Sequence, residues 1–380
     1  MDEATIPTYR IDLSLPPQQR YKTISSDFAP QMRQITPLFD KVIASFIQSI
    51  LLQRLIKFLA RLLLRRVHSS EETQELKGIA RASGVELYIL VAFNVLLDSL
   101  LGCTSGGVLT KPNGKYARER MMHFRTLDWG MDELRKVLVV LEFVRSESDE
   151  PERVLCRTVT YAGFVGVLTG VKQDLSLSLN FRPNHTSSTL LLRLHQLLVL
   201  LAIRPSISSV LRKHLFDPAT NISNLTNSLT SSTTTAPAYI IVCSGKDTTV
   251  VQTDLCGGVS DSAVDYISHT NHDLASSRAT QRASNVILGM EGLVEESEER
   301  KGCIDSKWEK LRKRQEAQMY KAGRRDTVAV SERTLRGWVM EYPIMNECSH
   351  FGCILDPGTG SIRWLQRGIQ EDESENNDEQ

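Results

Sequence analysis

Neither sign of charge prevails in this chain: 45 Lys and Arg stand against 45 Asp and Glu, a formal net charge of zero. A global attraction to nucleic acid is thereby excluded, and no nucleic-acid partner is expected. The spacings that carry several common chemistries are also missing. There is no HExxH metal pair, no GxxxxGK[ST] phosphate loop and no GxGxxG dinucleotide turn. Seven cysteines, at 103, 156, 243, 256, 303, 348 and 353, show neither paired CxxC spacing nor a dense disulfide framework. Cys348 and Cys353 are near enough for a small loop disulfide, or are two free buried thiols. The opening Met1-Asp2-Glu3-Ala4-Thr5-Ile6-Pro7 has neither the basic start nor the apolar core of a secretory leader, so a genuine absence of leader implies the cytoplasm. Internal repeats are absent. Nothing in the composition calls for a metal or a cofactor.

What is present is an ordinary globular composition, 41% hydrophobic and 24% charged over 380 residues, enough for a sizeable core. Residues 7–17 alternate Tyr9, Ile11, Leu13 and Leu15 with polar side chains and close on Pro16-Pro17, which predicts an edge strand. Residues 42–67 repeat apolar side chains at helical spacing but are broken by Gln53, Arg54, Lys57 and Arg61, which rules out a bilayer span. Such a basic amphipathic helix can lie on an anionic membrane or micelle surface, or pack on its own domain with its basic face in water. Further helices are expected at 71–84, capped by Ser69 or Ser70, and at 85–97. After residue 103 the pattern turns to strands, at 104–109, 117–128, 136–144, 154–161, 162–170 and 175–180. Helices follow at 187–201 and 207–215, then a Ser/Thr/Asn-rich stretch at 219–236 that reads as an extended loop or a frayed helix. A hairpin at 238–243 and 248–253, a strand at 264–270 and a charged helix at 291–325 come next. Strands at 338–342 and 344–346 are expected to pair with 352–356 and 361–365. Residues 371–380 form an acidic tail with the composition of a disordered segment.

The change from helix to strand falls at Leu101-Gly102-Cys103-Thr104-Ser105. A thiol attacks a carbonyl as thiolate and needs a base or a positive neighbour. Cleavage of the Gly102–Cys103 bond would supply a base on the same residue, an α-amine whose ordinary pKa is about 7.7–8.0. The cut would begin with the Cys103 sulfur attacking the Gly102 carbonyl, where glycine leaves the approach open. The plain alternative is a buried structural cysteine. Arg125 and Asp128 are candidates for lowering the thiol pKa and holding the α-ammonium, or for a simple ion pair at a strand end. Asn180 and Asn271, at strand ends, are candidate donors to a tetrahedral oxyanion. His272 is adjacent to Asn271 and on an extended chain would point the other way, which argues against a Cys/His/Asp triad.

Taken in order, residues 7–17, Cys103-Thr104-Ser105, residues 162–170, Ser176-Leu177-Ser178-Leu179-Asn180, Ala236-Pro237-Ala238-Tyr239 and Thr270-Asn271-His272-Asp273 resemble the acid ceramidase and N-acylethanolamine acid amidase family of N-terminal-nucleophile hydrolases. The resemblance implies an α+β fold, a four-layer αββα sandwich with an N-terminal helical segment laid against it. It divides the chain into a helical α-subunit (1–102), a catalytic β-subunit (103–370) and the tail. It also implies a zymogen that cuts itself before Cys103 at acidic pH into an α/β heterodimer and then hydrolyses a lipid amide such as ceramide. N-acylethanolamines or other N-acyl amides are the alternative substrates, and an inactive lipid-binding paralogue is the alternative of a different class.

By matching motifs, the catalytic set is Cys103, Arg125, Asp128, Asn180 and Asn271, with Arg282, or failing it Arg278, as the family arginine. Three departures stand out. The family's Asn-Glu-Arg reads Asn180-Phe181-Arg182, its Gly-Arg-Asn-x-Asp reads Phe124-Arg125-Thr126-Leu127-Asp128, and its N-terminal cysteine has no counterpart before Pro7. The two pieces are therefore expected to be held by packing alone. Family habit and the sequons at Asn184, Asn221 and Asn224 point to a lysosomal, vacuolar or secreted glycoprotein.

Overall fold

A computed structural model describes residues 5–39, 44, 48–96, 102–111, 118–185, 187–231, 236–273, 285–286, 291–323 and 326–368. The alternating residues near the start form β1 (Thr8–Asp12), which buries Ile11. It lies parallel to β4 (Leu138–Val144) at one edge of an eight-stranded sheet, as expected for an edge strand. Pro16 ends the extended run and three short helices follow, α1 (Pro17–Arg20), α2 (Lys22–Asp27) and α3 (Ala29–Gln34).

Next come α4 (Ile50–Leu63), α5 (Ser70–Ser83) and α6 (Leu87–Leu96). Ser69 is the cap of α5, its Oγ accepting the Glu72 N–H at 3.3 Å, and Gly84 ends the helix at φ 75°. Gly78 lets α1 approach: a β-carbon there would lie 2.1 Å from the Gln18 carbonyl oxygen.

Of the two arrangements the sequence left open for α4, the structure does not show the one in which its apolar face packs on its own domain. Ala60 is its one fully buried residue, while Leu51, Leu55, Phe58 and Leu62 are 50–76% exposed along one stripe. Leu190, Leu191, Leu194 and Leu197 of α7 (Thr189–Leu200) are similarly exposed, and α4 and α7 both touch α6. No described helix is long and apolar enough to cross a membrane.

The first sheet runs β1, β4, β5 (Cys156–Tyr161), β6 (Thr169–Lys172), β7 (Leu175–Phe181), then, after the two-residue β8 (Asn184–His185) outside it, β9 (Ala238–Cys243), β10 (Thr248–Asp254) and β11 (Gly257–Ala263). The second is ordered β12 (Tyr266–His269), β2 (Gly102–Lys111), β3 (Arg120–Asp128), β15 (Ser349–Asp356), β16 (Ser361–Arg367), with β14 (Val330–Ser331) beside β2. A separate pair joins β8 to β13 (Asn285–Val286). The two large sheets face each other, β2 and β3 lying over β7 and β9. Helices α8 (Ile207–Phe216) and α9 (Ile222–Ser231) cover the outside of the first sheet. Helices α10 (Glu291–Ala322) and α11 (Glu332–Met340) cover the outside of the second. The order of layers is αββα.

Strand alternation sorts β2 and β3 between two cores. Cys103, Arg125 and Leu127 face the first sheet, while Val108, Met122 and Phe124 pack with Ile304 and Trp308 of α10. Several boundaries differ from the sequence reading. The stretch at 219–236 contains helix α9, capped by Asn221 Oδ1 at 2.9 Å from the Asn224 N–H and anchored by buried Leu225 and Leu229. Residues 332–340 are helical, with Ser331 capping and Leu335 and Val339 buried at i, i+4, so the strands expected at 338–342 and 344–346 do not form; 349–356 pairs with 361–367 and with β3 instead. Strand β11 had no apolar signal, because it is an exposed edge held by its ladder to β10. All seven cysteines are thiols. The tail at 371–380 lies outside the described residues.

The helical segment before Gly102 is joined to the rest by more than packing, contrary to expectation. Arg212 of α8 makes a two-pronged bond to Glu75 of α5, Nη1 to Oε2 at 2.6 Å and Nη2 to Oε1 at 2.8 Å. Arg20 reaches the same Glu75 at 3.0 Å, and Ser209 donates to Glu72 at 2.7 Å. Glu75 is fully buried and Arg212 nearly so, a setting in which each charge depends on its partner.

Candidate active site

Cys103 sits at the second residue of β2, at the mouth between the sheets, and is fully buried. Its side chain points to the first sheet, where Arg125 Nη2 approaches the sulfur at 3.3 Å. The guanidinium is held by the carbonyls of Leu168 and Leu179, each at 2.8 Å, and so cannot swing away. Burial pushes the Cys103 thiol up from its ordinary value, and the Arg125 charge works against that push without overcoming it. In the continuous chain the sulfur is a neutral thiol beside a fixed cation.

Asp128 lies across from Gly102 in the β2–β3 ladder, on the opposite face from Arg125, because an odd spacing along a strand reverses direction. The ion pair between Arg125 and Asp128 left open by the sequence does not form. Asp128 instead pairs with Arg300 of α10 through Oδ2 and accepts from Ser349 Oγ at 2.6 Å through Oδ1. Arg300 also donates through Nη2 to Asn271 Oδ1 at 3.1 Å. Gly102 fits beneath this pair: a β-carbon would stand 3.3 Å from Asp128 Cβ and 3.6 Å from Arg300 Nη1.

Asn271 presents its oxygen to the backbone of Cys103. Oδ1 accepts the Cys103 N–H at 2.7 Å, and Nδ2 donates to the Phe181 carbonyl at 2.7 Å. Two donors at one end and a carbonyl at the other leave a single amide orientation that satisfies all three. Its own N–H is bound by Ser297 Oγ at 2.6 Å, and the same hydroxyl meets His272 Nδ1 at 2.8 Å. Asn180 stands one step away. It accepts from Ser105 Oγ at 2.9 Å and donates to the carbonyls of His269 and Thr270 at 3.2 and 3.3 Å, bracing the strand that leads to Asn271. Beyond it, Arg182 and Asp273 form a buried two-pronged pair at 2.9 Å.

Cys103, Arg125, Asp128 and Asn271 are thus brought together, with Asn180 in support. Arg282 and its alternative Arg278 lie outside the described residues. The arginine found in the site is Arg300, which sequence reasoning missed. A signal for it existed: Ser297, Arg300, Ile304 and Trp308 recur every three or four residues along α10, and all four are buried. The surrounding charges masked that stripe. Among the described residues no group of His, Cys, Asp and Glu could hold a metal ion.

Two cavities open on either side of Trp129. One is almost wholly apolar, lined by Met32, Ile35, Phe39, Ile89, Phe93 and Met131 among others, with roughly 720 Å³ of unfilled space that runs into solvent. The other is polar and lies at Gly102, Asp128 and Arg300, with Glu296, Glu299 and Glu347 on its walls. Trp129 lines both.

Two facing sheets between helical layers, with a cysteine opening an inner strand and pointed at the opposite sheet, define the αββα class of N-terminal-nucleophile hydrolase folds. Likenesses to known proteins narrow the class. The profile of the family described as the beta subunit of N-acylethanolamine-hydrolyzing acid amidase matches residues 4–68. Acid ceramidase of Rattus norvegicus is 26% identical over 254 residues, 62% of this chain and 60% of that protein. The acid ceramidases of Bos taurus and Homo sapiens are 29% and 28% identical over 192 residues, 47% of this chain and 46% of theirs. A solved structure of a Caenorhabditis elegans N-acylethanolamine-hydrolyzing acid amidase ortholog has 19% identity and a TM-score of 0.46, covering 67% of this chain and 93% of that one. The chain spans about half the length of most of the curated relatives it matches. Over these stretches the chain is similar in sequence to acid ceramidases and, near its start, to the N-acylethanolamine-hydrolyzing acid amidase beta-subunit family.

Proposed function

We propose that the protein is a lipid amidase of ceramidase type, activated by cutting its own chain between Gly102 and Cys103. The observation that carries this reading is the Cys103 nitrogen bonded to Asn271 Oδ1 while its sulfur lies against Arg125. In self-cleavage the thiol sulfur attacks the Gly102 carbonyl carbon, the peptide nitrogen leaves with the thiol proton, and a thioester forms. Water then hydrolyses the thioester to a Gly102 carboxylate and a free Cys103 thiol. The α-amine so released keeps Asn271 Oδ1 as its acceptor, which orients its lone pair for taking the thiol proton.

On a lipid amide the same thiolate adds to the acyl carbon, the amine half departs with the proton, and water releases the fatty acid from the thioester. The apolar cavity offers room for an acyl chain and the polar cavity for the amine half. Ceramide is the leading substrate and an N-acylethanolamine the alternative. With Phe181 where the family has an acid, the carboxylates that line the polar cavity are those of Asp128, Glu296, Glu299 and Glu347.

The exposed apolar stripes of α4 and α7, with Arg54, Lys57 and Arg61 interleaved, suit an anionic membrane or micelle surface. Sedimentation with anionic vesicles checks that partner. The central test is intact mass and N-terminal sequencing after incubation at mildly acidic pH, followed by assay on ceramide and palmitoylethanolamide. A new terminus at Cys103 and release of fatty acid are expected; an uncut 42.7 kDa chain with no hydrolysis would instead indicate an inactive lipid-binding relative.

Arg300 gives a finer check. Its replacement by methionine leaves Asp128 buried with a hydroxyl as partner and Asn271 without its second donor. Self-cleavage is expected to slow about 10- to 100-fold, with Arg300→Lys intermediate, read from the rate at which fragments appear on a denaturing gel.

A further inference from the structure

Trp129 follows directly on Asp128 and is the wall between the apolar cavity and the polar one at Gly102. Its position depends on two buried residues that the reaction does not use. His350, on β15, is fully buried; its Nε2 lies 3.0 Å from the Trp129 carbonyl oxygen and its Nδ1 2.7 Å from Tyr161 Oη. A carbonyl can only accept, so Nε2 carries the hydrogen and Nδ1 accepts from the tyrosine hydroxyl. The Tyr161 ring in turn meets Trp129 edge-on at 6.3 Å and Phe93, another lining residue of the apolar cavity, at 6.4 Å. Ala162, next in sequence, lines the same cavity.

We infer that Tyr161 and His350 form a strut that sets the place of Trp129 and Phe93, and so fixes which acyl chains the apolar cavity accepts. They are positioning residues, acting through the aromatic wall and not on the reacting atoms. The inference deepens the amidase reading and rests on it for the identity of the occupant, a fatty-acyl chain. Burial pushes the His350 imidazole down to about 3, with Arg135 and Arg367 contributing, and pushes the Tyr161 phenol upward. The bond pattern therefore persists through the acidic range with one tautomer. Phenylalanine at 161 or leucine at 350 would keep the volume and remove the bond. In His350→Leu the Trp129 backbone loses the bond at its carbonyl and keeps its N–H bond to the Cys348 carbonyl, at 2.7 Å; in Tyr161→Phe the imidazole still reaches Trp129 but loses the hydroxyl that fixes it.

The test is equilibrium binding of free fatty acids to the full chain, by displacement of the fluorescent fatty acid cis-parinaric acid, with chains of roughly 8 to 18 carbons, over which each added methylene buries more apolar surface. Wild type is expected to show a defined optimum of length. Tyr161→Phe and His350→Leu are expected to shift or flatten that optimum by about tenfold in relative affinity, while His350→Gln, which can still donate and accept, keeps it. Should His350→Leu fail to fold, Tyr161→Phe, one oxygen smaller, supplies the reading. An unchanged length profile in Tyr161→Phe, a glutamine variant no better than leucine, or a wild type that binds no fatty acid overturns the strut. Failure of the amidase reading is separate: it appears as wild-type protein that selects fatty acids by length and hydrolyses neither amide.

Discussion

Cys103→Ala leaves a full-length chain that neither cuts itself nor hydrolyses amide. The expected loss is complete within detection, since in the proposed mechanism one atom serves both reactions as nucleophile and no other described thiol stands beside a cation within hydrogen-bond distance of its sulfur. Cys156, Cys243 and Cys353 are buried, with their thiols pushed up to about 12, 11 and 12. The fold should tolerate the change, because alanine fits wherever cysteine does and removes one weak contact to the Leu179 carbonyl at 3.8 Å. Cys103→Ser separates the two steps: a hydroxyl retains shape and a poorer nucleophile, so slow self-cleavage with little turnover is the expected pattern. Gel mobility and fatty-acid release on the same preparations check both. Full activity in the alanine variant would remove the thiol from the mechanism.

The second large effect concerns the join between the two pieces. Glu75→Ala leaves the Arg212 guanidinium buried with the Val165 carbonyl, at 2.7 Å, in place of a carboxylate. Stranding one member of a buried pair costs about 3–5 kcal/mol, a large share of the roughly 5–15 kcal/mol that holds an ordinary domain folded. After cleavage the effect should be larger in consequence, since the peptide link no longer keeps residues 1–102 near the sheet. The expected result is a lowered unfolding midpoint before cleavage and separation of the two fragments on gel filtration after it. The control is the double variant Glu75→Met with Arg212→Met. Replacing both charges by apolar side chains of similar length removes the desolvation cost along with the attraction, and should restore association to near the wild-type level. If Glu75→Ala fragments stay together as firmly as wild type, packing alone holds them.

How far the site was legible follows from what each signal encodes. The family motifs and the helix-to-strand change pointed to Cys103, Arg125, Asp128 and Asn271 as candidates, and the geometry gathers them around one strand end. Their mutual bonding was not legible. Arg125 and Asp128, three apart, looked like partners, but strand alternation puts them on opposite faces, and each finds its partner in a different layer. Asn271, read as an oxyanion donor, turns its oxygen to the Cys103 nitrogen because the Phe181 carbonyl takes its amide hydrogen. Arg300 was hidden in a helix whose composition read as solvated charge.

The sequence by itself determined many of the elements and their inward faces: the edge strand around Tyr9 and Ile11, a serine cap at Ser69 or Ser70, the hairpin at 238–253, and the cysteine where helix gives way to strand. Those are local properties, set by side-chain period and by hydrogen bonds between residues a few positions apart. The tertiary structure alone decided which polar groups meet. Glu75 and Arg212 are 137 positions apart, Asp128 and Arg300 are 172, and Tyr161 and His350 are 189. Each pair spans two elements whose order in the layers is set by how the sheets stack, and period along the chain carries no record of that stacking. The same reason explains α4: its sequence states an apolar stripe at helical spacing, and only the arrangement of its neighbours left that stripe facing outward.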